Sequence, residues 1–222
     1  QVRRRVIIIG NNQKCRNFYP KKEYANPGEN DSKYKPCRTV GWAFENRINF
    51  YNKSHNHDIQ SATILSNLEV AQIQCIPEGK SIRYKQDEDT YLKDKELKLD
   101  VNWHAISEKR FREAKYNRLD RSKPSPTIVT NKKMYYHPIE NRYLTAREAA
   151  ALQSFSPKFI FKGSLSKQWT QIGNAVPPLM AKAIGSSILR MHKNRKLKIE
   201  PHQTDVELLR SYAFKYDRDT YE

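Results

Sequence analysis

Near the end of the chain stands QIGNAVPP, residues 171–178. Gly173 permits a tight turn, and Asn174 offers both a hydrogen-bond donor and an acceptor. Pro177 and Pro178 suit the first turn of a helix, where a missing N–H costs nothing. A polar side chain set between a turn and a sharply started helix can face a ligand, although Asn also serves as an ordinary turn residue. A second set of residues is cationic. Lys109, Arg112 and Lys115 are spaced three apart in SEKRFREAKYNRL (107–119), a stretch expected to be helical. Such a stripe could grip phosphates, or it could be the solvated face of an amphipathic helix. The cysteines are Cys15, Cys37 and Cys75, odd in number and widely spaced. They indicate reduced thiols, as in a cytosolic or nuclear compartment, rather than a disulfide framework. No Cys-x-x-Cys or His/Cys cluster suggests a metal, and His55 and His57 in SHNH read as part of a solvated loop.

The net charge of +17 and pI near 9.8 favour a polyanionic partner, most often DNA or RNA. Thirteen Tyr, eight Phe and three Trp supply core bulk despite a mean hydropathy of −0.89. Apolar runs recur throughout, so the composition is not that of a disordered chain. No run of about 18 apolar residues is present, so no membrane span is expected.

The elements that must position these residues are unevenly marked. Val6 to Ile9, closed by Gly10, has the pattern of a buried strand. Such a strand needs neighbours, and the expectation is that the natural protein extends upstream. Residues 11–58 read mainly as loops, with a short helix near VGWAFENR. Ile64 to Ile76 fits a helix closed by PEG. Residues 85–100 mix both charge signs and read as a solvated face. KPSPTIVT must be extended, because Pro124 and Pro126 forbid helix. In YLTAREAAALQSF, Thr145 can cap a helix and Glu148 can complete a capping box. From Val176 onward, apolar residues at Val176, Leu179, Met180, Ala183, Ile184, Ile188 and Met191 recur at helical spacing. TDVELLRSYAF is expected to form a last short helix.

Taken together, RYLTAREAAALQSF and QIGNAVPPLMAKAIGSSIL resemble the last two conserved motifs of the cytosine-C5 DNA methyltransferases. The opening QVRRR resembles that family's Gln-x-Arg-x-Arg motif, and IPEG and KPSPTI resemble segments in and after its target recognition domain. Order and spacing agree to about residue 192. The resemblance implies an α/β chain: the C-terminal part of an S-adenosylmethionine-dependent methyltransferase fold, with a mixed, irregular target recognition domain. It places a late catalytic-domain strand at 1–10, target recognition at 11–135, and a return to the catalytic domain with closing helices at 136–192. A basic extension follows at 193–222.

The resemblance also implies roles. Arg5 would approach a flipped cytosine, with Arg3 and Gln1 in supporting hydrogen bonds. Thr127 would lie beside the DNA backbone. Asn174 and Val176 would line the site for S-adenosyl-L-methionine. Arg142, Arg147 and Glu148 would organise the fold. The family's Pro-Cys-Gln nucleophile, its Glu-Asn-Val motif and its Gly-rich cofactor turn do not occur in the 222 residues. Pro36-Cys37 is followed by Arg38 and lies after the Gln-x-Arg-x-Arg segment, where the family places no nucleophile, so Cys37 reads as a loop cysteine. The implied partners are therefore double-stranded DNA and an N-terminal catalytic half or subunit. A non-catalytic DNA-binding module and a bland basic α/β protein are the alternatives.

Overall fold

Polar start signals set most of the helices. Thr39 accepts the amide of Trp42 to open α1, Val40–Arg47. Ser66 caps α2, Asn67–Gln74, through the amide of Glu69. In α4, Ala146–Leu152, Thr145 Oγ1 accepts the amide of Glu148 at 3.1 Å and Glu148 returns a bond to the amide of Thr145 at 2.8 Å. This is the expected capping box. Asp87, in the first turn of α3, Lys85–Tyr91, accepts the amides of Arg83 and Tyr84. Ser164 caps α5, Leu165–Asn174, and Pro178 begins α6, Pro178–Lys193, with the Pro177 carbonyl taking the first helical bond.

This architecture belongs to a computed structural model that describes residues 6–11, 17–29, 31–48 and 55–193. Gln1 to Arg5, Cys15 and TDVELLRSYAF lie outside the described residues. The described chain falls into two compact units. The larger runs from Lys22 to Ala181; the smaller joins residues before Lys22 with those from Lys182 onward.

The larger unit holds two apolar cores. One gathers Val40, Phe44, Leu119, Ile128, Leu144, Trp169 and Ile172 around α1, α4 and α5. The other packs Ile73, Ile76, Ile82, Leu92, Trp103 and Tyr136 beneath an antiparallel ribbon. The ribbon pairs β1, Ile82–Tyr84, with β2, Arg110–Lys115. Glu88, on the mixed-charge stretch expected to be solvated, is buried in this second core. It accepts the Trp103 indole N–H at 2.7 Å and the Leu99 amide at 2.6 Å.

Several expectations are corrected. The helix expected over 64–76 is confined to α2, because Ser66 supplies the start signal and Ile64 is buried ahead of it. The stretch 107–119 is not the expected helix: after a single 3-10 turn at Ser107–Lys109 it forms β2, since pairing with β1 overrides local propensity. In the smaller unit, Val6 and Ile8 are 89% exposed and belong to no strand. No strand among the described residues pairs with them, so their apolar run has nothing to be buried against.

Candidate nucleic-acid and cofactor interface

The QIGNAVPP segment is built differently from its sequence reading. Gly173 and Asn174 form the last turn of α5 rather than a tight turn, and the chain leaves the helix at Ala175. Gly173 is needed for close approach instead. A Cβ there would lie 2.6 Å from the Val129 carbonyl carbon, 2.7 Å from the Thr130 nitrogen and 2.8 Å from the Val129 oxygen. The end of α5 is thus seated directly on the extended KPSPTIVT backbone. A second tie holds it: Gln153 donates its amide to the Ile172 carbonyl at 2.9 Å. Beyond this anchor Asn174 is exposed, and its side chain makes no hydrogen bond among the described residues. Val176 follows at 48% exposure. An exposed amide, able to donate and accept, and an exposed apolar side chain thus follow directly on the anchored end of α5.

Thr127 lies on the same extended segment, half-buried. Its carbonyl accepts the Tyr135 hydroxyl at 2.8 Å. Burial, and then the charge of Glu113, push the Tyr135 phenol up to about 12.

Lys109, Arg112 and Lys115 are all exposed but do not form one stripe. Positions three apart on a strand fall on opposite faces, and Lys109 precedes β2 altogether. Lys115 sits with its ammonium 5.8 Å from the Phe111 ring centroid. The three cations remain surface groups, distributed around the ribbon rather than along a helix.

A buried charge cluster stiffens the support. Arg142 makes bidentate bonds to Glu148 at 2.7 and 2.9 Å and also binds Glu140 at 2.9 and 3.1 Å. Burial opposes the Arg142 charge, but these two carboxylates more than offset it and raise its pKa. The Arg142 bond holds Glu140 below its usual carboxylate value. His137 stacks on Phe44 and takes the amides of Ile139 and Glu140 on Nδ1, so that nitrogen is unprotonated. Burial holds His137 neutral by lowering its pKa, against the pull of Glu148. Arg147 is 0% exposed and gives its guanidinium to the carbonyls of His55, Ser156 and Phe159. Arg142, Arg147 and Glu148 thus organise the fold.

The sequence reading missed Asn56. His55 is exposed, but its neighbour is not simply solvated: Asn56 adopts φ 63°, and its side chain binds both the amide and the carbonyl of Phe161 at 2.9 Å. His57 bonds Thr145 at 2.9 Å, and burial lowers its pKa. The only local signal was an Asn, the residue type that most readily enters the left-handed region after Gly.

The family model for C-5 cytosine-specific DNA methylases matches residues 1–190. The type II methyltransferase M.NgoFVII of Neisseria gonorrhoeae is 32% identical over 213 residues, covering 93% of this chain and 50% of that one. M1.HphI of Haemophilus parahaemolyticus is 46% identical over 80 residues, 36% of this chain and 22% of its own. M.AquIB of Picosynechococcus is 39% identical over 85 residues, 33% of this chain but 61% of its own, so it is a much shorter protein than M1.HphI. The chain spans half or less of M.NgoFVII and M1.HphI, and under two thirds of M.AquIB. A solved DNA modification methyltransferase from an E. coli prophage overlaps at TM-score 0.40 and 25% identity, over 60% of this chain and 28% of that one. That superposition is too loose to carry a fold assignment.

Proposed function

The chain belongs to the C-5 cytosine-specific DNA methylase family, and on that footing we propose that it is the C-terminal portion of a DNA (cytosine-5)-methyltransferase. It recognises double-stranded DNA and completes the cofactor and flipped-cytosine sites of a catalytic half outside this chain. The observation that carries the reading is the family match over residues 1–190, with Asn174 and Val176 exposed just beyond the Gly173 contact. The +17 charge supports the polyanionic partner. Exposed apolar side chains at Val6, Ile8, Leu179 and Ile188 support a protein partner that covers them. The proposed division is a catalytic-domain segment at 1–10, target recognition at 11–135, closing helices at 136–192 and a basic extension beyond.

In this reading S-adenosyl-L-methionine supplies the methyl group. Asn174 orients the cofactor through its amide, and Val176 gives it an apolar wall. The target atom is hidden in a duplex, so the cytosine must be flipped out. Arg5 then holds the O2 edge of the base and the adjacent phosphate as a fixed cation, with Gln1 and Arg3 in support. Thr127 fixes the DNA backbone. The nucleophile and the glutamate that grips the base belong to the other half.

Cytosine methylation of duplex DNA by this chain combined with its catalytic half tests the proposal. Salt-dependent DNA binding with no methyl transfer in that combination would instead leave a non-catalytic binding module.

A further inference from the structure

Helix α4 ends on a strained residue. The Phe155 amide bonds the Ala150 carbonyl at 3.0 Å, and the Ser154 amide bonds the Ala151 carbonyl at 2.9 Å. This pair of bonds is the Schellman ending, whose left-handed position is usually glycine. Here it is held by Ser154, at φ 66°. A side chain costs energy in that region, and the strain persists only where the surroundings fix it. Arg47 helps to fix it, donating from Nη1 to the Ser154 carbonyl at 3.1 Å and to the Phe155 carbonyl at 3.4 Å.

The hydroxyl does what glycine could not. Ser154 Oγ accepts the amide of Leu179 at 3.2 Å, across 25 residues of chain. Pro177 and Pro178 carry no N–H, so Leu179 is the first residue of α6 with an amide to satisfy. Its acceptor comes from the end of another helix. The neighbouring Gln153 is fully buried and bonds the Ile172 carbonyl of α5. Two consecutive residues at the end of α4 therefore hold the helices on either side of the connector 175–177. Asn174 ends α5 immediately before that connector, and Val176 lies within it.

We propose that Gln153 and Ser154 form a two-point clip, and that Ser154 is a positioning residue for the S-adenosyl-L-methionine site at Asn174 and Val176. This inference rests on the methyltransferase reading above. The Gly173 contact and Gln153 hold the connector from the α5 side. Only the bond from Leu179 to Ser154 ties the start of α6 to the same support, so its loss loosens Val176 while α5 stays seated. A site whose supporting contacts are loosened binds its ligand less tightly even when its own residues are intact.

The test uses the complete enzyme, with this chain and its catalytic half together, and three variants. Ser154→Ala removes the acceptor and keeps the strain. Ser154→Gly removes the acceptor and relieves the strain. Ser154→Asn keeps a side-chain acceptor and tolerates the left-handed region. Calorimetric binding of S-adenosyl-L-homocysteine reads the site without turnover, and urea unfolding reads stability. Ser154→Ala and Ser154→Gly should both bind about two- to fivefold more weakly, the scale of a lost helix cap. Ser154→Gly should nevertheless resist urea better than Ser154→Ala, and Ser154→Asn should recover most of the affinity. KM for S-adenosyl-L-methionine should rise in the first two variants with KM for DNA unchanged. Affinity that follows stability instead, with Ser154→Gly binding as tightly as wild type, overturns the inference and leaves the methyltransferase reading intact. A wild-type enzyme that neither binds S-adenosyl-L-homocysteine nor deposits 5-methylcytosine overturns both.

Discussion

Replacing Gly173 with Ala isolates the contact that seats the end of α5 on the extended segment. The added Cβ would meet three backbone atoms at 2.6–2.8 Å, all in residues 129–130, and none can rotate aside as a side-chain tip could. Overpacking of this kind costs about 1–3 kcal/mol. Within a helix the same substitution also gains about 1 kcal/mol of intrinsic propensity. The clash outweighs the propensity gain, because relief requires α5 to separate from the extended segment, and a net loss of up to about 2 kcal/mol is expected. Gly185, in α6, is the internal control. It too is helical, but no atom lies within 4 Å of its would-be Cβ. Gly185→Ala should therefore stabilise by about 0.5–1 kcal/mol. Urea unfolding of the isolated chain reads both, and the two variants should move in opposite directions. In the complete enzyme, Gly173→Ala should also raise KM for S-adenosyl-L-methionine more than it alters DNA affinity. A Gly173→Ala chain that gains stability in step with Gly185→Ala would refute the close-approach argument.

Other outcomes follow from the same geometry. Glu148→Gln leaves Arg142 buried with half its charge compensation and should cost about 3 kcal/mol or more in denaturant unfolding. His137 and His57 have lowered pKa values in the folded chain, so the unfolded state binds more protons below about pH 6.5. Stability should be full above that pH and fall as pH drops toward the folded pKa values, and His137→Gln should flatten the decline. Lys109→Ala should reduce the slope of log affinity against log salt by about 0.9 for any duplex sequence. Arg5→Ala in the complete enzyme should cripple methylation more than DNA binding, and equal losses would reassign Arg5 to phosphate positioning. In hydrogen exchange on the isolated chain, α6 should protect its amides less than the fully buried α4, since Leu179, Ile188 and Leu189 are 40–63% exposed.

What the sequence made legible was local. The Thr145–Glu148 capping box, the short helix at VGWAFENR and the proline start of α6 each need only neighbours a few residues away, and each stands where the pattern placed it. What it concealed was decided by distant partners. The stretch 107–119 has helical spacing, yet β1 claims it as a strand. Gly173 and Asn174 spell a turn, yet α5 continues through them because the helix docks on Val129 and Thr130. Asn56 looked solvated because its partners, Phe161 and Gln168, lie more than 100 residues away. In the candidate site, Asn174 and Val176 could be singled out by motif, but their exposure and fixed seating could not. Arg112 was legible as a cation, whereas the strand that carries it depends on pairing with β1.

The central claim is that this chain completes a catalytic site whose nucleophile lies elsewhere. Transfer of a labelled methyl group from S-adenosyl-L-methionine to duplex DNA, measured for the 222-residue chain alone and for the chain combined with its N-terminal catalytic half, tests it most directly. No incorporation is expected from the chain alone, and incorporation at cytosine C5 is expected from the combination. Robust methylation by the isolated chain would contradict the claim, and so would a well-folded combination that binds DNA and transfers nothing.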